Sequence, residues 1–527
     1  MLRVDRYAEP LWNRSVAQEI DRRSVGAYAV PALQLMEEAG KGVSDEIVVR
    51  YDRRRPVIVL AGTGNNGGDG VVAARYLRQR GFNTHIFLVR EPATKPLSAG
   101  LQHQIDAYKA IGATISPYTP GVLAAFCDKQ PIIIDALLGL GFQGPLGQGS
   151  LRDALVEAAA LPMSSVVAVD IPSGLEADLW AATDALLPAD VSVTFGSPKP
   201  VHSLSPGRAD CGEAVAVDIS FHADATHETL AADVPRYWRV VPERLLRESP
   251  WNHLGRDAHK FDRGHVLVIG GSNGKLGAPV MTAMAALRAG AGWASVALPR
   301  AARELEGRFP LELTLEDLFL EGVIHVARLR DFVIQRRVRT VVIGPGTVAT
   351  PLNDLIVALM RDLMSEHGVR FVIDGGALNQ LGTLLDGAGL EANRVLLTPH
   401  PGEYGKLGGV PARFDTALGA DGLTRVLTNW GATLFYKSAT PMAVSPVLDK
   451  RILFTDAGTN AVAKAGTGDV LAGVAAAHMA VGMPAPWAAL RAQLAIYRAA
   501  ETVAATFGEH GIVATDLLSR LSVAPTL

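Results

Sequence analysis

The sequence is poor in cysteine and in net charge, and each shortage excludes a class of protein. Cys127 and Cys211 are the two cysteines in 527 residues and form no Cys-x-x-Cys pair, which predicts a reducing compartment and excludes a thiolate metal site. The formal net charge is −3, and the one run of three basic residues, Arg53 to Arg55, directly precedes an apolar, strand-like segment. We therefore expect no nucleic-acid partner.

Long uninterrupted apolar segments are also missing. The N-terminus carries charges at Arg3, Asp5 and Arg6 and no apolar core, so it does not resemble a signal peptide. The Ala- and Leu-rich segment 470–483 contains glycines and a histidine and indicates a buried helix and not a membrane span. We expect a cytoplasmic protein without a membrane partner.

What is present is a regular alternation of apolar strands and helical patterns. A length of 527 residues with 48% hydrophobic and 20% charged residues indicates two or more folded domains. Short Val- and Ile-rich runs separated by helices predict layered α/β domains with largely parallel sheets. The predicted strands are 57–60, 84–89, 132–135, 166–170, 191–195 and 214–218, followed by 266–269, 294–298, 340–343, 370–373, 395–397, 433–436 and 442–445.

A polar segment separates these two series of strands. Residues 223–238 lack strand or helix periodicity and are interpreted as a linker. The predicted domains are therefore residues 1–222 and 239–527, two unrelated α/β domains joined in one chain.

The most specific motif of the first domain is Ala61-Gly62-Thr63-Gly64-Asn65-Asn66-Gly67-Gly68-Asp69-Gly70. It lies between a predicted strand and a predicted helix, where backbone N–H groups and the helix dipole favour an anion such as a pyrophosphate. The glycine spacing is not that of a G-x-G-x-x-G fingerprint, and the two Asn and the Asp add side-chain ligands.

Two more strands of this domain end in a carboxylate. Asp135 opens Asp-Ala-Leu-Leu-Gly-Leu-Gly-Phe, and Asp170 opens Asp-Ile-Pro-Ser-Gly. In an open parallel sheet the ligand crevice lies at the carboxyl ends of the strands, so both are expected to converge with the Asn-rich turn. Such oxygen-rich loops suit a hard cation. The alternative is that each Asp caps the following turn.

These three motifs resemble the NAD(P)H-hydrate epimerase family over about residues 15–220. The resemblance implies a Rossmann-like three-layer αβα fold, NADHX or NADPHX (hydrated NADH or NADPH) as substrate, and a potassium ion at Asn66, Asp135 and Ser173. It implies Asp170 as the general acid or base, since epimerisation at the hydrated ring carbon requires proton movement. The implied substrate contacts are Asn65, Asn66, Gly67, Gly68, Asp69, Gly139, Leu140, Gly141, Phe142, Gln143, Gly144, Pro145 and Asp170.

The second domain carries Gly466-Thr467-Gly468-Asp469 ahead of an apolar helix. Glycines before a helix N-terminus can hold a phosphate, and Asp469 is placed to act on a nearby hydroxyl. The alternative is a glycine-rich N-cap with an acidic residue in the first turn.

Together with Gly264 to Ser272, Gly344 to Gly346, Asp374 to Asn379 and Thr398 to Glu403, this motif resembles the ADP-dependent NAD(P)H-hydrate dehydratase family, which has a ribokinase-like fold. The resemblance implies phosphorylation of the ring hydroxyl by ADP, or by ATP, with Mg²⁺. The phosphate then leaves as the ring nitrogen's lone pair expels it. The implied residues are Asp469 as base, Ala278, Gly346 and His400 at the hydrate, and Lys437, Ser438, Ala439, Thr440, Pro441 and Gly468 at the nucleotide.

Two side chains of the Thr-Pro-His-Pro-Gly-Glu turn keep alternative interpretations. His400 can line the hydrate pocket or satisfy backbone groups of its own turn. Glu403 can hold Mg²⁺ through water or cap the following helix.

The second domain departs from the family pattern on its nucleotide side. Gly376 stands where the family has a carboxylate, and Ser438 replaces a glycine after Lys437. The segment 458–466 reads Gly-Thr-Asn-Ala-Val-Ala-Lys-Ala-Gly in place of the usual Gly-Asn-x-x-Met-Ala-Thr-Gly-Gly. These changes leave open the affinity for ADP and the choice of phosphoryl donor.

The resemblances together predict one bifunctional repair enzyme that epimerises R and S NAD(P)HX and dehydrates the S form with ADP, releasing AMP and phosphate. Fusion is useful because the epimerase lets a stereospecific dehydratase consume both epimers. The alternatives are a vitamin- or sugar-type kinase in the second domain and a nucleotide sensor without turnover. We expect a homo-oligomer with NADHX, NADPHX and ADP as its small-molecule partners.

Overall fold

The protein forms two compact α/β units, and each is described by itself. The computed structural model describes residues 4–91, 96–179, 185–249, 257–299, 309–348, 350–408, 426 and 428–521. One unit is Pro10–Pro235, and the other combines residues 1–9 with Arg236–Leu527. Within the described residues, no helix is both long and apolar enough to cross a membrane.

The first unit is built on a seven-stranded sheet whose neighbouring strands all run parallel. Alternate residues of its inner strand Val57–Ala61 face opposite sides, so Val57 and Val59 pack in one hydrophobic cluster while Ile58 and Leu60 pack in another. Helices therefore cover both faces, as the continuous apolar strands predict. From edge to edge the strands are Ile115–Pro117, Thr84–Leu88, Val57–Ala61, Ile132–Ala136, Ser165–Val169, Val191–Phe195 and Glu213–Val217.

The helices of this unit connect and cover these strands. They are Arg14–Gly26, Ala32–Arg50, Asn65–Gln79, Ala99–Ala110, Ser150–Ala159, Pro200–Ser203, Gly207–Cys211 and Ala223–Ala232, with a 3-10 helix at Val122–Phe126.

The second unit has an eleven-stranded mixed sheet. Its large central part is parallel, whereas Met442–Val444 runs antiparallel to both of its neighbours. From edge to edge the strands are Ala8–Pro10, Tyr237–Val240, Ile452–Phe454, Met442–Val444, Thr433–Tyr436, Val395–Leu397, Arg370–Ile373, Val338–Ile343, His265–Ile269, Trp293–Ala297 and Thr314–Glu316. Phe319–Leu320 and Val323–Ile324 form a separate hairpin.

One face of this sheet is covered by Ala-rich helices that share a single hydrophobic core with it. The helices of the unit are Val4–Tyr7, Pro242–Arg247, Gly277–Arg288, Val326–Gln335, Asp354–His367, Leu381–Leu385, Pro401–Tyr404, Thr467–Ala480, Ala485–Phe507 and Ala514–Leu518. Its 3-10 helices are Gly375–Leu378, Pro446–Leu448, Asn460–Val462 and Glu509–Gly511.

The layered α/β prediction is confirmed for both units, and each predicted strand is present to within a residue or two at its ends. The domain boundaries differ. Part of the predicted linker is a helix, Ala223–Ala232, whose Ala225 and Thr229 are buried in the first unit, and Tyr237–Val240 is a strand of the second sheet.

The start of the chain also differs from the predicted boundary, because residues 4–9 belong to the second unit. Glu9 accepts a hydrogen bond from Arg244 at 2.8 Å, and Tyr7 meets Trp487 edge-on at 5.4 Å between ring centroids. These contacts join residues far apart in sequence, which periodicity cannot detect.

Gly473, in helix Thr467–Ala480, lies against helix Gly277–Arg288 and lets the two helices approach each other. A Cβ at this position would lie 2.1 Å from the Thr282 carbonyl oxygen and 2.8 Å from the Ala285 Cβ. Gly473→Ala should destabilise the unit by about 3 kcal/mol, the upper range for an overpacked core, and lower the Tm measured by calorimetry.

The matched control is Gly277→Ala, at the start of one of the same helices, where a Cβ meets nothing within 4 Å. Since alanine is the better helix former, this control should be neutral or slightly stabilising. Equal Tm values for the two variants would contradict the packing role of Gly473.

Candidate active sites

The first candidate site is a cavity of about 850 Å³ at the carboxyl ends of the parallel strands, here called the glycine-turn cavity. The Asn-rich turn, the loop after Ile132–Ala136 and the loop after Ser165–Val169 all reach it. Of the predicted substrate contacts, those that line it are Asn65, Asn66, Asp69, Gly139, Leu140, Gly141, Phe142, Gln143 and Asp170.

Gly67 and Gly68 are not among the described residues that line the cavity, so their substrate contacts stay a prediction, and both pack closely against neighbouring atoms. They lie in the first turn of helix Asn65–Gln79, where a Cβ at Gly67 would be 2.2 Å from the Gly62 carbonyl oxygen and a Cβ at Gly68 2.6 Å from the Met36 Cε. Gly144 and Pro145 are not among the described residues that line the glycine-turn cavity, so their substrate contacts stay a prediction.

Asp170 is held in an unusual conformation at the wall of this cavity. Its φ of +64° lies in the left-handed region, which Asp tolerates better than most residues. His202 stabilises this conformation, because its Nδ1 accepts the Lys199 backbone N–H at 3.0 Å and its Nε2 therefore donates to the Asp170 carbonyl oxygen at 2.8 Å. Burial lowers the pKa of His202 to about 4, so this ring is neutral.

A buried lysine sets the charge of Asp170. Lys199 Nζ lies 2.8 Å from Asp170 Oδ1, and Thr194 Oγ1 donates to the same oxygen at 2.8 Å. Burial by itself would raise the pKa of Asp170, but the charge and hydrogen bond of Lys199 outweigh it, so the net shift of the pKa is downward. Asp170 is therefore ionised at neutral pH and can accept a proton.

Asp69 shows the opposite behaviour in the same cavity. Burial raises the pKa of Asp69 well above its usual range, and the carboxylates of Asp170 and Asp21 raise it further. The pKa values of two carboxyl groups in one cavity are thus shifted in opposite directions, an arrangement typical of acid–base sites.

Asp135 and Ser173 are buried and lie in a cluster of oxygen atoms next to the Asn66 side chain. Ser173 Oγ has one proton but faces two acceptors, Asp135 Oδ1 at 2.6 Å and the Leu138 carbonyl oxygen at 3.3 Å. The Asn66 amide reaches the same carbonyl through Nδ2 at 2.9 Å. Burial raises the pKa of Asp135, and hydrogen bonds from Ser173 and Leu137 oppose the rise. Carboxylate, hydroxyl and carbonyl oxygens gathered in this way are the ligands that a hard cation prefers.

The second candidate site is a cluster of three carboxyl groups around one ammonium group, here called the Lys437 cluster (Asp374, Glu403, Lys437 and Asp469). Lys437 Nζ lies 2.7 Å from Asp374 Oδ1 and 3.7 Å from Glu403 Oε2. Burial would lower the pKa of Lys437, but Asp374 and Glu403 outweigh it, and the net shift is upward. The ammonium is therefore fully charged.

Asp469 is the acidic group of this cluster with a strongly shifted pKa. It stands in the first turn of helix Thr467–Ala480. Burial raises the pKa of Asp469 to about 7, Asp374 and Glu403 raise it too, and Lys437 opposes them. A carboxyl group near half-protonation at neutral pH is suited to proton transfer.

Two of the predicted nucleotide-side residues, Gly468 and Lys437, lie next to each other. A Cβ at Gly468 would come within 3.2 Å of Lys437 Nζ, so these two predicted nucleotide contacts are neighbours. Ser438 is not among the described residues with positive φ, and its Oγ donates to the Thr440 carbonyl oxygen at 2.7 Å. The turn that a glycine would allow is therefore formed by serine without backbone strain. Ala439 and Pro441 complete this loop.

At Gly376, where the family has a carboxylate, there is no room for a side chain. A Cβ at this position would be 2.4 Å from the Thr347 carbonyl oxygen and 2.6 Å from Thr347 Oγ1. Thr347 thus occupies the space that a longer side chain would need. A carboxylate cannot be restored there by substitution alone.

On the predicted hydrate side, Ala278 and Gly346 are adjacent. A Cβ at Gly346, whose φ is +73°, would lie 3.2 Å from the Ala278 Cβ and 2.4 Å from the Lys275 carbonyl oxygen. Only glycine fits this position.

His400 and Glu403 form a capping box. This agrees with the alternative interpretations, in which His400 satisfies backbone groups of its own turn and Glu403 caps the following helix. His400 Nδ1 accepts the Gly402 N–H at 3.0 Å and the Glu403 N–H at 3.3 Å, and Glu403 accepts the His400 N–H at 2.9 Å. The His400 side chain is still 55% exposed, so it remains accessible to a ligand.

Sequence reasoning missed the residues that form hydrogen bonds or ion pairs with Asp170 and Asp374 from neighbouring strands. Lys199 and His202 follow strand Val191–Phe195, Thr194 lies within it, and Thr398 donates to Asp374 Oδ1 at 2.7 Å from the end of Val395–Leu397. A polar residue directly after a predicted buried strand is the signal that would have found Thr398, whereas Lys199 lies four residues beyond the end of its strand.

Comparisons with known proteins agree with this division into two sites. The family described as YjeF-related protein N-terminus matches residues 32–201, and the family described as NAD(P)H-hydrate dehydratase matches residues 266–522. A Bacillus subtilis ADP/ATP-dependent NAD(P)H-hydrate dehydratase structure is 22% identical, with a TM-score of 0.42 over 53% of this chain and 95% of that one, a likeness too weak to bear on function.

The full-length relatives are more informative. The bifunctional NAD(P)H-hydrate repair enzyme of Moorella thermoacetica is 30% identical over 95% of this chain and 94% of the relative. Those of Salinibacter ruber and Escherichia coli are also 30% identical, each over 97% of this chain and over 95% and 93% of the relative. The chain therefore belongs to the family of bifunctional NAD(P)H-hydrate repair enzymes, with an N-terminal epimerase domain and a C-terminal ADP-dependent dehydratase domain.

Proposed function

We propose that Asp170 and Asp469 are the proton-transferring residues of the two activities, and that a buried lysine tunes each one: Lys199 keeps Asp170 ionised, whereas Lys437 limits the rise of the Asp469 pKa. The protein epimerises R and S NAD(P)HX in its first domain and dehydrates the S form with ADP in its second. The observation that carries the proposal is the pairing of strand-end carboxylates with Lys199 and Lys437.

In the epimerase domain, Asp170 begins the reaction as a base. Its lowered pKa keeps it ionised, and it faces the glycine-turn cavity, in which the dinucleotide would lie. The N-terminus of helix Asn65–Gln79 supplies backbone N–H groups for the pyrophosphate. Lys199 is a positioning residue, because it holds the carboxylate through Oδ1 and balances its charge in a dry environment.

In the dehydratase domain, Asp469 takes the proton of the ring hydroxyl as the hydroxyl oxygen attacks the terminal phosphorus of ADP. AMP leaves, and the hydrate carries a phosphate ester. The ring nitrogen's lone pair then expels phosphate, loss of a ring proton restores the dihydropyridine, and NAD(P)H is released. Lys437 and the N–H groups near Gly468 would stabilise the charge on the transferred phosphoryl group.

The metal ions fit the two sites differently. Asn66, Asp135 and Ser173, with the Leu138 carbonyl, would hold potassium, since an amide flip at Asn66 turns Oδ1 toward the other oxygens. Of the described residues, no three His, Cys, Asp or Glu converge as metal ligands. Mg²⁺ would therefore bind the nucleotide phosphates with one carboxylate, and Glu403 is the candidate. Each ion would supply positive charge near anionic groups.

The donor, the oligomer and the compartment complete the proposal. ADP is the expected phosphoryl donor, and ATP is the alternative because the Lys437–Ser438 loop departs from the family pattern. We further propose a cytoplasmic homo-oligomer.

The direct test of both roles follows each epimer of NADHX by chromatography, with and without ADP. Asp170→Asn should lower the epimerisation rate at least about 100-fold, the usual contribution of a general base, and leave ADP-dependent dehydration of the S form intact. Asp469→Ala should do the reverse. The exposed Asp106→Asn is the matched control.

Near-normal epimerisation by Asp170→Asn would overturn its role. If the wild type binds ADP but converts neither epimer, the nucleotide-sensor alternative would be correct.

The dehydratase reaction should depend on pH through Asp469. Because the base must be ionised and its pKa is about 7, kcat/KM for S-NADHX should rise with pH and level off above about 7. Lys437→Gln removes the positive charge that lowers this pKa, so the midpoint should move up by about one pH unit. Exposed Lys406→Gln should leave it in place, and an unmoved midpoint in Lys437→Gln would contradict the coupling.

Potassium should stabilise the epimerase domain. Replacing K⁺ by tetramethylammonium, which is too large for the oxygen cluster, should lower the epimerisation rate and the Tm of that domain in a thermal-shift assay. Ser173→Ala, which removes one proposed ligand, should weaken the response to K⁺. The same Tm in both salts for the wild type would exclude the site.

A further inference from the structure

The glycine-turn cavity extends to both sides of the Asn-rich turn. Asp170 follows strand Ser165–Val169, two strands away on one side, and Glu91 follows Thr84–Leu88, the adjacent strand on the other side. With neighbouring strands about 4.8 Å apart, these two carboxylates lie at strand ends about 14 Å from each other. If the reacting ring lies at Asp170 and the pyrophosphate at the turn, the adenosine half extends toward Glu91.

The elements around Glu91 form a strand–turn–helix–strand unit. Val57–Ala61 leads through the glycine-rich turn to helix Asn65–Gln79 and then to Thr84–Leu88. The Val89 N–H donates to the Ala61 carbonyl oxygen at 2.9 Å, so the end of the last strand lies directly beside the turn. In dinucleotide-binding α/β folds, an acidic residue at this strand end binds the ribose 2′-hydroxyl, whereas an arginine accommodates a 2′-phosphate.

Glu91 is fixed in place by the opposite wall of the cavity. Its Oε1 accepts the Leu151 N–H at 2.8 Å. Its carboxylate lies over Gly149, where a Cβ would be 2.3 Å from Oε2. A side chain held in this way presents its negative charge at a defined position.

The described lining of the cavity offers little positive charge to a second phosphate. It includes Lys199, whose ammonium is bound by Asp170 and Thr194, and no arginine. The neighbouring Arg90 is exposed and is not among the described lining residues.

We propose that the Glu91 carboxylate accepts a hydrogen bond from the 2′-hydroxyl of the adenosine ribose, so that the epimerase domain acts on NADHX in preference to NADPHX. This inference rests on the proposed function of the glycine-turn cavity. It assigns a substrate preference and a specificity-determining residue to that cavity. A 2′-phosphate at the same position would meet a fixed negative charge.

The experiment measures kcat/KM for epimerisation of NADHX and of NADPHX by the full chain, without ADP or ATP so that dehydration does not run. The wild type should favour NADHX by about tenfold or more, since like charges at hydrogen-bond distance repel by more than 1 kcal/mol. Glu91→Gln keeps the acceptor for the Leu151 N–H but removes the charge. It should bring the ratio of the two kcat/KM values near one, mainly by lowering KM for NADPHX.

Arg90→Gln is the matched control, because it changes a neighbouring charge that does not line the cavity, and its ratio should equal that of the wild type. A purely structural role for Glu91 as a cap of helix Ser150–Ala159 would lower both kcat/KM values together and leave their ratio unchanged, which would overturn the inference. Equal rates for NADHX and NADPHX in the wild type would also overturn it, while the proposed function would stand. No epimerisation of either substrate would refute the proposed function and this inference with it.

Discussion

Both halves of this protein depend on the same interaction, a strand-end aspartate paired with a buried lysine from a nearby strand end. In the first domain Lys199 holds Asp170, and in the second Lys437 holds Asp374. Burying either charge alone would cost several kcal/mol, so each member requires the other. The parallel sheet makes the pairing possible, because it brings the carboxyl ends of separate strands to one edge.

The same pairing has opposite consequences for the two reacting groups. Lys199 contacts the reacting carboxylate itself, and the pKa of Asp170 therefore falls despite its burial. Lys437 is engaged by Asp374 and Glu403, so burial and these carboxylates dominate at Asp469 and raise its pKa to about 7. One domain thus holds a permanently ionised base, and the other holds a base whose ionisation depends on pH.

The departures from the family pattern fall into two physical classes. Ser438 is accommodated, because its turn needs no positive φ and its hydroxyl bonds the Thr440 carbonyl. At Gly376 the carboxylate side chain is missing and leaves no empty space, because Thr347 occupies the position of a side chain. The Lys437–Ser438 loop therefore accepts serine without backbone strain, whereas the loop after Arg370–Ile373 leaves no room for a side chain at Gly376.

The sequence alone determined the α/β class, the bounds of the strands that it predicted to within a residue or two, and the motifs that identify the family, since buried parallel strands and glycine-rich turns depend on local patterns. It did not predict short strands such as Ile115–Pro117 and Ile452–Phe454. Tertiary structure alone decided the rest. Residues 4–9 join the second unit, Gly67 and Gly68 pack closely against neighbouring atoms, and Lys199, Thr398 and Glu91 reach the sites from strands distant in the chain. Periodicity reports which face of an element is buried. It contains no information on which strand ends become neighbours, and the charge of a buried carboxyl group depends on those neighbours.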